Sequence, residues 1–191
     1  NLQMKSTTSG ISYQIDANTT GRNVALVDEV TLNYGISLLD GRIIDTVYQS
    51  KSTVKTIWGG TNAFSGFIES LNLLKEGEKG NFLIPSTLAF GTAGNSNGSI
   101  PSNTNLKLYL KSVKFRTEEQ QIKDYIAGTK MTVTDSTADG LRLIKLNTTT
   151  GTQLVSGKTV TVKYTGYLAS NITQFDTGQF STTLGTNNVV P

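Results

Sequence analysis

Apolar and polar residues alternate in short runs over most of the first 115 positions, a pattern that predicts β-strands. The clearest run has Val30, Leu32 and Tyr34 as its apolar positions, with polar residues between them. Similar runs predict further strands near residues 12–15, 54–58, 82–84 and 106–115. The dipeptide Asp40-Gly41 lies between two apolar stretches and predicts a type I′ hairpin turn, because both residues tolerate a positive φ.

One segment has helical spacing instead. Its apolar residues recur on one helical face: Phe67, Ile68, Leu71 and Leu74. Ser65 is a candidate N-cap and Gly77 a candidate residue just past the helix end. So short a helix needs a sheet to pack on, so the first 115 residues are predicted to have an α+β fold.

The last predicted strand contains a phase change. Its apolar positions are even-numbered up to Leu110 and odd-numbered afterwards, at Val113 and Phe115. A β-bulge near Lys111-Ser112 would absorb the extra residue and keep both sets of side chains facing the core.

Beyond the first domain, a polar helix is predicted within residues 116–131, either as a connector or as the last helix of that domain. From Asp139-Gly140 onward the earlier pattern then starts again. Val160, Val162 and Tyr164 alternate as the apolar residues near position 30 do, and an Asp follows each predicted hairpin. This indicates an internal repeat.

Composition excludes several kinds of chemistry. The chain has no Cys and no His, which removes thiol nucleophiles, imidazole bases and Ser-His-Asp triads; we expect no metal site and no cofactor. The net charge of +3 reflects 17 basic and 14 acidic residues without a Lys/Arg run, so no nucleic-acid partner is indicated. No apolar run is long enough to cross a bilayer. The chain opens with Asn1 rather than Met, so we expect an upstream segment.

Several motifs together resemble one family. Residues 160–168, read V-T-V-K-Y-T-G-Y-L and followed by Phe175-Asp176, are similar to the V-x-V-x-Y-T-G-x-L…F-D signature of FKBP-type prolyl isomerases. Leu184-Gly185 and 189–191 resemble that family's L-G…V-I-P segment. In the first copy, the matching motifs are Gly66-Phe67, Ile84-Pro85, Leu88-Ala89-Phe90-Gly91 and Ile100-Pro101.

The resemblance implies an antiparallel sheet curved around one short helix. Residues 1–115 would form the first FKBP-like domain, 116–135 a helical connector, and 136–191 the N-terminal part of a second domain.

The resemblance also implies peptidyl-prolyl cis-trans isomerase activity in an apolar pocket. The catalytic positions would be Tyr34, Asp45, Phe67 and Phe90, and the substrate-binding positions Ile44, Val54, Ala63, Phe64, Ile100 and Leu108. Second-copy candidates are Tyr164, Phe175, Asp176, Phe180, Val189 and Val190. Phe67 would form the floor, the Phe64 N–H would donate to a substrate carbonyl, and Asp45 would pair with Arg42 or the Tyr34 hydroxyl. We assign Trp58 to sheet packing.

Three positions depart from the family pattern, with Ile44 in place of Phe, Phe67 in place of Trp, and Phe90 in place of Tyr. Two hypotheses therefore stand: a prolyl isomerase that helps exported proteins to fold, or a catalytically weak FKBP-like binding or chaperone module. Expected partners are proline-containing peptides or unfolded exported proteins, with a macrolide as a further candidate ligand. The resemblance favours a periplasmic or surface-attached bacterial location, with membrane contact only through an upstream lipid anchor.

Overall fold

The computed structural model describes residues 3–16, 19–47, 52–59, 63–168 and 172–185. The chain divides into two compact units, Asn1–Glu118 and Glu119–Pro191.

The first unit is an antiparallel sheet packed on one helix. Its elements in chain order are β1 (Lys5–Ser6), β2 (Ser12–Asp16), β3 (Glu29–Leu38), β4 (Ile43–Thr46), β5 (Val54–Ile57), α1 (Ser65–Asn72), β6 (Lys79–Ile84), a 3-10 turn (Ser86–Leu88) and β7 (Leu106–Arg116). The strand order is β1-β2-β6-β7-β3-β4, and β5 also pairs with β3. The predicted α+β architecture is confirmed.

The core follows directly from the alternation seen in the sequence. Alternate residues of β3, of β6 and of β7 up to its bulge are buried or partly buried, and Val30, Phe82 and Leu108 are fully buried. The buried side of α1 contributes Phe67 and Leu71. Each such apolar side chain stabilises the fold by roughly 1.5–3 kcal/mol relative to an exposed position.

Helix α1 begins and ends two residues earlier than its apolar spacing predicts. The N-cap is Phe64, which makes no side-chain cap, and the candidate cap Ser65 is instead the first helical residue. Its hydroxyl donates to the Leu88 carbonyl oxygen at 3.1 Å, because the 3-10 turn lies against this end of the helix. The C-cap is Leu73, so Gly77 lies well beyond the helix.

The hairpin between β3 and β4 exists, but its turn is not type I′. Gly41 has a φ of +94°, whereas Asp40 has no positive φ. The Gly41 N–H donates to the Leu38 carbonyl and the Leu38 N–H donates to the Arg42 carbonyl. This is the pattern of a longer turn that ends in a glycine bulge, so only the glycine needs the left-handed region.

The bulge predicted in β7 is present, but it changes which side chains are buried. Thr31 pairs with Lys114 and Leu32 with Ser112, which leaves Val113 as the extra residue. Val113 is 37% exposed and Ser112 is fully buried, so the expectation that Val113 faces the core is wrong. The Ser112 hydroxyl is accommodated because it hydrogen-bonds to the carbonyl oxygens of Lys75 and Glu78.

The turn that precedes β3 holds a strained residue. Val27 has a φ of +62°, a region that β-branched residues rarely adopt. Its N–H donates to the Trp58 carbonyl at 3.0 Å. The buried Asp28 carboxylate fixes the turn, since it accepts hydrogen bonds from Arg22 and from the Ala25 N–H. These contacts hold Val27 in place against its backbone preference.

Replacing Val27 with glycine is expected to stabilise the first unit by about 1 kcal/mol. The substitution relieves a left-handed cost of roughly 1–2 kcal/mol, offset partly by about 0.4–1 kcal/mol of added unfolded-state entropy. Little burial is lost, because Val27 is 58% exposed. Urea denaturation measures the change. Leu26→Gly in the same turn is the control and should not stabilise, since Leu26 has no positive φ.

The second unit contains a helix and two strand pairs. Its elements are α2 (Glu118–Thr129), β8 (Asp135–Ser136), β9 (Arg142–Leu143), β10 (Thr159–Tyr167) and β11 (Gln174–Thr183). Each strand pair is antiparallel, β8 with β9 and β10 with β11. Glu119 of α2 forms ion pairs with Lys123 and Arg142.

Strand β10 carries the residues that repeat the β3 pattern. Here β11 pairs with β10 along its length, whereas β4 and β5 divide the corresponding edge of β3. Val189 and Val190, two of the second-copy candidates, lie outside the described residues. That residues 136–191 begin a second FKBP-like domain, with 116–135 as connector, stays a prediction.

Candidate functional site

A cavity of about 750 Å³ opens on the helix-facing side of the first unit. Its lining comes from β3, from β4, from β5 with the residue that follows it, from α1 with the two residues that precede it, and from the loop that follows the 3-10 turn. The lining residues are Leu32, Tyr34, Ile36, Ile44, Asp45, Val54, Thr56, Trp58, Ala63, Phe64, Phe67, Phe90, Asn95, Asn97, Ser99 and Ile100. This volume suits a short peptide segment, since ligand pockets run roughly 300–1,000 Å³.

The cavity side chains of β3 and β5 come from alternate residues, because every second side chain of a strand lies on the same face. Leu32, Tyr34 and Ile36 are alternate residues of β3 and share one face. Val54 and Thr56 do the same on β5, which pairs with β3 at Leu32 and Val30. These strands therefore form one wall.

Every first-domain site residue predicted from the sequence lines this cavity except Leu108. Leu108 is fully buried within the sheet. It lies on β7, which has β6 on one side and β3 on the other, opposite Phe82 and Ile36. Its side chain belongs to the hydrophobic core and does not line the cavity.

Sequence reasoning missed several lining residues. Trp58, assigned to sheet packing, is 6% exposed and lines the cavity. The alternation from Val54 through Thr56 to position 58 could have identified it, together with Leu32 and Ile36 on β3. Asn95, Asn97 and Ser99 lie in a loop without periodicity, so no pattern pointed to them.

An aromatic cluster borders the cavity. The Phe67 ring contacts Tyr34 edge-on at a centroid distance of 5.7 Å and Phe64 at 6.0 Å. Phe64 in turn lies 5.5 Å from Phe90. Edge-on and tilted contacts of this kind are favourable between aromatic rings, so the four rings form a continuous apolar part of the cavity lining.

Tyr34 and Asp45 form the main polar pair of the site. The Tyr34 hydroxyl donates to Asp45 Oδ2 at 2.8 Å. Of the two partners expected for Asp45, the structure therefore shows the tyrosine. Burial, then the hydrogen bond and negative charge of Asp45, raise the pKa of Tyr34 from its ordinary value near 10 to about 12.

Tyr34 is expected to ionise near pH 12, because its anion would be desolvated and would face Asp45. A raised pKa means that the stability contributed by this pair is complete below pH 10 and is lost as the pH rises through about 12. The measurement is the tyrosinate absorbance of the wild type minus that of Tyr34→Phe, recorded after rapid pH jumps. A difference signal that titrates near pH 10 would contradict this assignment.

The loop of residues 95–100 is closed by its own hydrogen bonds. Asn95 N–H donates to the Ile100 carbonyl at 3.0 Å, and Ile100 N–H donates to Asn95 Oδ1 at 2.8 Å. Asn95 Nδ2 donates to Ser99 Oγ at 2.7 Å. At Gly94, a Cβ would lie 2.3 Å from the Ile100 carbonyl oxygen, so the loop ends approach closely and only glycine fits there.

The second unit repeats the polar pair. Tyr164 donates to Asp176 Oδ2 at 2.9 Å, and this bond raises the pKa of Tyr164 above its ordinary value. The Phe180 ring lies 6.1 Å from Tyr164. Phe175 is 66% exposed, and its ring lies over Gly166 of β10, where a Cβ would be 2.6 Å from the ring. The described residues of this unit thus bring together Tyr164, Asp176 and Phe180 but not Phe175.

Within the described ranges, no cluster of acidic side chains has the arrangement of a metal site. Their helices are also too short or too polar to span a membrane.

Comparison with known proteins identifies the first unit. Residues 21–118, just over half of the chain, match the model of the family described as FKBP-type peptidyl-prolyl cis-trans isomerase. A probable FKBP-type peptidyl-prolyl cis-trans isomerase FkpA of Neisseria meningitidis is 32% identical over 116 residues, covering 61% of this chain and 42% of that protein. Peptidyl-prolyl cis-trans isomerase Mip of Coxiella burnetii is 31% identical over 113 residues, covering 58% and 48%. The chain thus spans about half the length of these relatives or less.

Comparison with solved structures gives the same family as the sequence comparison. The crystal structure of FkpA from Escherichia coli matches with a TM-score of 0.54 and 28% identity, over 60% of this chain and 52% of that one. AtFKBP13, at 20% identity and a TM-score of 0.53 over 59% and 98% of the two chains, supports the fold. With the match over residues 21–118, these findings place the chain in the FKBP-type peptidyl-prolyl cis-trans isomerase family.

Proposed function

We propose that this chain is a peptidyl-prolyl cis-trans isomerase whose first-unit cavity binds X-Pro segments. The observation that carries the proposal is an aromatic, largely apolar cavity with the Tyr34–Asp45 pair at its wall, in a chain of this family. Membership of the family supports isomerase activity, and the cavity supports the first unit as the place where the X-Pro segment binds.

The mechanism requires neither a nucleophile nor a metal. Rotation about the X-Pro bond meets a barrier of roughly 18–20 kcal/mol, because the amide loses its resonance when it twists. Water stabilises the planar, polar amide more than the twisted one. A cavity that removes this water and packs against the twisted form therefore lowers the barrier.

Each part of the site would have a distinct task. Phe67, 8% exposed, would pack against the proline ring as the cavity floor. Asp45, held by Tyr34, would orient polar groups at the edge. The Phe64 N–H, at the residue that precedes α1, would donate to a substrate carbonyl.

The proposed substrates are proline-containing segments of unfolded exported proteins, and a macrolide is a further candidate ligand of the same cavity. A periplasmic or surface-attached location is supported by the relatives, one of which is named an outer membrane protein, MIP of Legionella longbeachae.

A binding module without turnover is the second candidate. It is favoured by Phe90, whose ring lines the cavity without the hydroxyl that the family usually has there. In that case, the cavity would hold proline-containing chains but would not accelerate their isomerisation.

Catalysed refolding separates the two candidates. The substrate is a model protein whose slow refolding phase is limited by prolyl isomerisation, which takes tens of seconds or longer without catalyst. An isomerase shortens this phase in proportion to its concentration. A binding module leaves the phase unchanged or lengthens it, because it sequesters the unfolded chain, and that result would contradict the isomerase.

A further inference from the structure

A directed chain of hydrogen bonds ends in the cavity. It starts at the Ile100 N–H, which donates to Asn95 Oδ1 at 2.8 Å, and continues from Asn95 Nδ2 to Ser99 Oγ at 2.7 Å. Ser99 lines the cavity and is half-buried. Its hydroxyl thus accepts a hydrogen bond, and its own proton has no acceptor among the residues that the structure describes.

The orientation of the Asn95 amide is fixed by its neighbours. A backbone N–H can only donate, so the atom facing the Ile100 N–H must be the amide oxygen. The amide nitrogen then faces Ser99 and can only donate to it. The Ser99 proton is therefore left to point elsewhere, and a hydroxyl that accepts one hydrogen bond becomes a better donor in the next.

Thr56, Trp58 and Asn97 also bring side-chain donors to the cavity. Ser99 differs from them in that its hydroxyl already accepts a hydrogen bond from the Asn95 amide. The Tyr34 hydroxyl is already committed to Asp45. Phe90, at the start of the same loop, has no hydroxyl. A bound X-Pro segment brings carbonyl oxygens that lose water on entry, and an unpaired buried carbonyl is costly. The loop thus supplies a donor where the ring at position 90 supplies none.

We propose that the Ser99 hydroxyl is a substrate-contacting residue that donates to a carbonyl oxygen of the bound X-Pro segment, with Asn95 as its positioning residue. This inference rests on the proposed function, since it assigns a contact within the same cavity. It predicts that the donor at position 99 and a donor restored at position 90 are interchangeable.

The test is a double-mutant cycle on the full chain. Its four proteins are the wild type, Ser99→Ala, Phe90→Tyr and the double variant. For each, NMR exchange on an Ala-X-Pro-Phe peptide gives kcat/KM, and chemical-shift titration with the same peptide gives Kd. Ser99→Thr retains the hydroxyl, and Ser102→Ala, an exposed serine away from the cavity, is the matched control.

We expect Ser99→Ala to lower kcat/KM about three- to tenfold, which corresponds to about 0.6–1.4 kcal/mol and lies within the net range for one hydrogen bond. Ser99→Thr should retain most of the activity, and Ser102→Ala should match the wild type. In the Phe90→Tyr background, removal of the Ser99 hydroxyl should cost less than about twofold. A purely structural role for Ser99 would give the same loss in both backgrounds and would overturn the proposal.

Failure of the Ser99 contact can be distinguished from failure of the proposed isomerase activity. If the folded wild type does not accelerate exchange, the isomerase fails, and the Kd values decide about Ser99. A Kd that weakens about three- to tenfold in Ser99→Ala and recovers with Phe90→Tyr supports the donor. A Kd equal to that of the wild type overturns it.

Discussion

Replacing Phe67 with alanine is expected to lower kcat/KM for X-Pro isomerisation by roughly 10- to 100-fold. Phe67 borders the cavity and is 8% exposed, and its ring contacts Tyr34 and Phe64. The truncation removes the surface on which a proline ring would pack, and that burial is worth about 1.5–3 kcal/mol. It should also lower the free energy of unfolding by about 3 kcal/mol, because it leaves a hole beside the core.

Phe67→Ala is expected to affect both catalysis and folding stability, so a control that affects stability alone is needed. Phe115→Ala is the matched control, since Phe115 is 1% exposed and does not line the cavity. It should destabilise the fold to a similar extent but leave kcat/KM unchanged at temperatures where it stays folded. Phe67→Leu, which keeps an apolar floor, should fall between the wild type and Phe67→Ala. Equal activity losses in Phe67→Ala and Phe115→Ala would argue that Phe67 acts through stability alone.

Substitution of Gly66 by alanine is expected to destabilise the first unit by about 3 kcal/mol and to impair the cavity. A Cβ at this position would lie 2.4 Å from Ile84 Cγ2 and 2.9 Å from the Leu88 carbonyl oxygen. Overpacking of a tight site costs about 1–3 kcal/mol or more. Helix α1 would have to move away from β6, and Phe67, the next residue, would move with it. Thermal or urea unfolding and peptide exchange measure the two effects.

A helical glycine in open space provides the comparison. Gly128 lies in α2, and a Cβ there would meet no atom within 4 Å. Gly128→Ala should therefore stabilise its helix by about 0.5–1 kcal/mol, since alanine is the better helix former. A similar gain for Gly66→Ala would contradict the close packing of α1 on β6.

The fold could be predicted for the strands and the helix whose apolar residues recur with a regular spacing. Alternation located β3 and β7, and helical spacing located α1, because each element must present an apolar face to one core. The same alternation predicted a bulge in β7. It could not show that Ser112 would be buried and Val113 exposed, since that depends on carbonyl groups of residues 75 and 78, which approach only in the folded chain.

The site was predictable to the extent that family motifs cover it. The predicted first-domain site residues line the cavity except Leu108, whose side chain is fully buried in the core. Asn95 and Ser99 could not be predicted, because loop residues show no periodic hydrophobic pattern. Their positions depend on hydrogen bonds within the loop. The type of the β3–β4 turn could not be predicted either, since Asp-Gly occurs in more than one type of hairpin turn.

The most direct test of the central claim is NMR exchange on an Ala-X-Pro-Phe peptide titrated with the full wild-type chain. We predict that cis-trans exchange accelerates in proportion to protein concentration, and that residues lining the first-unit cavity show the largest shifts on peptide binding. A folded chain that leaves the exchange rate at its uncatalysed value, with the cavity saturated by peptide, would contradict the isomerase and leave a binding module.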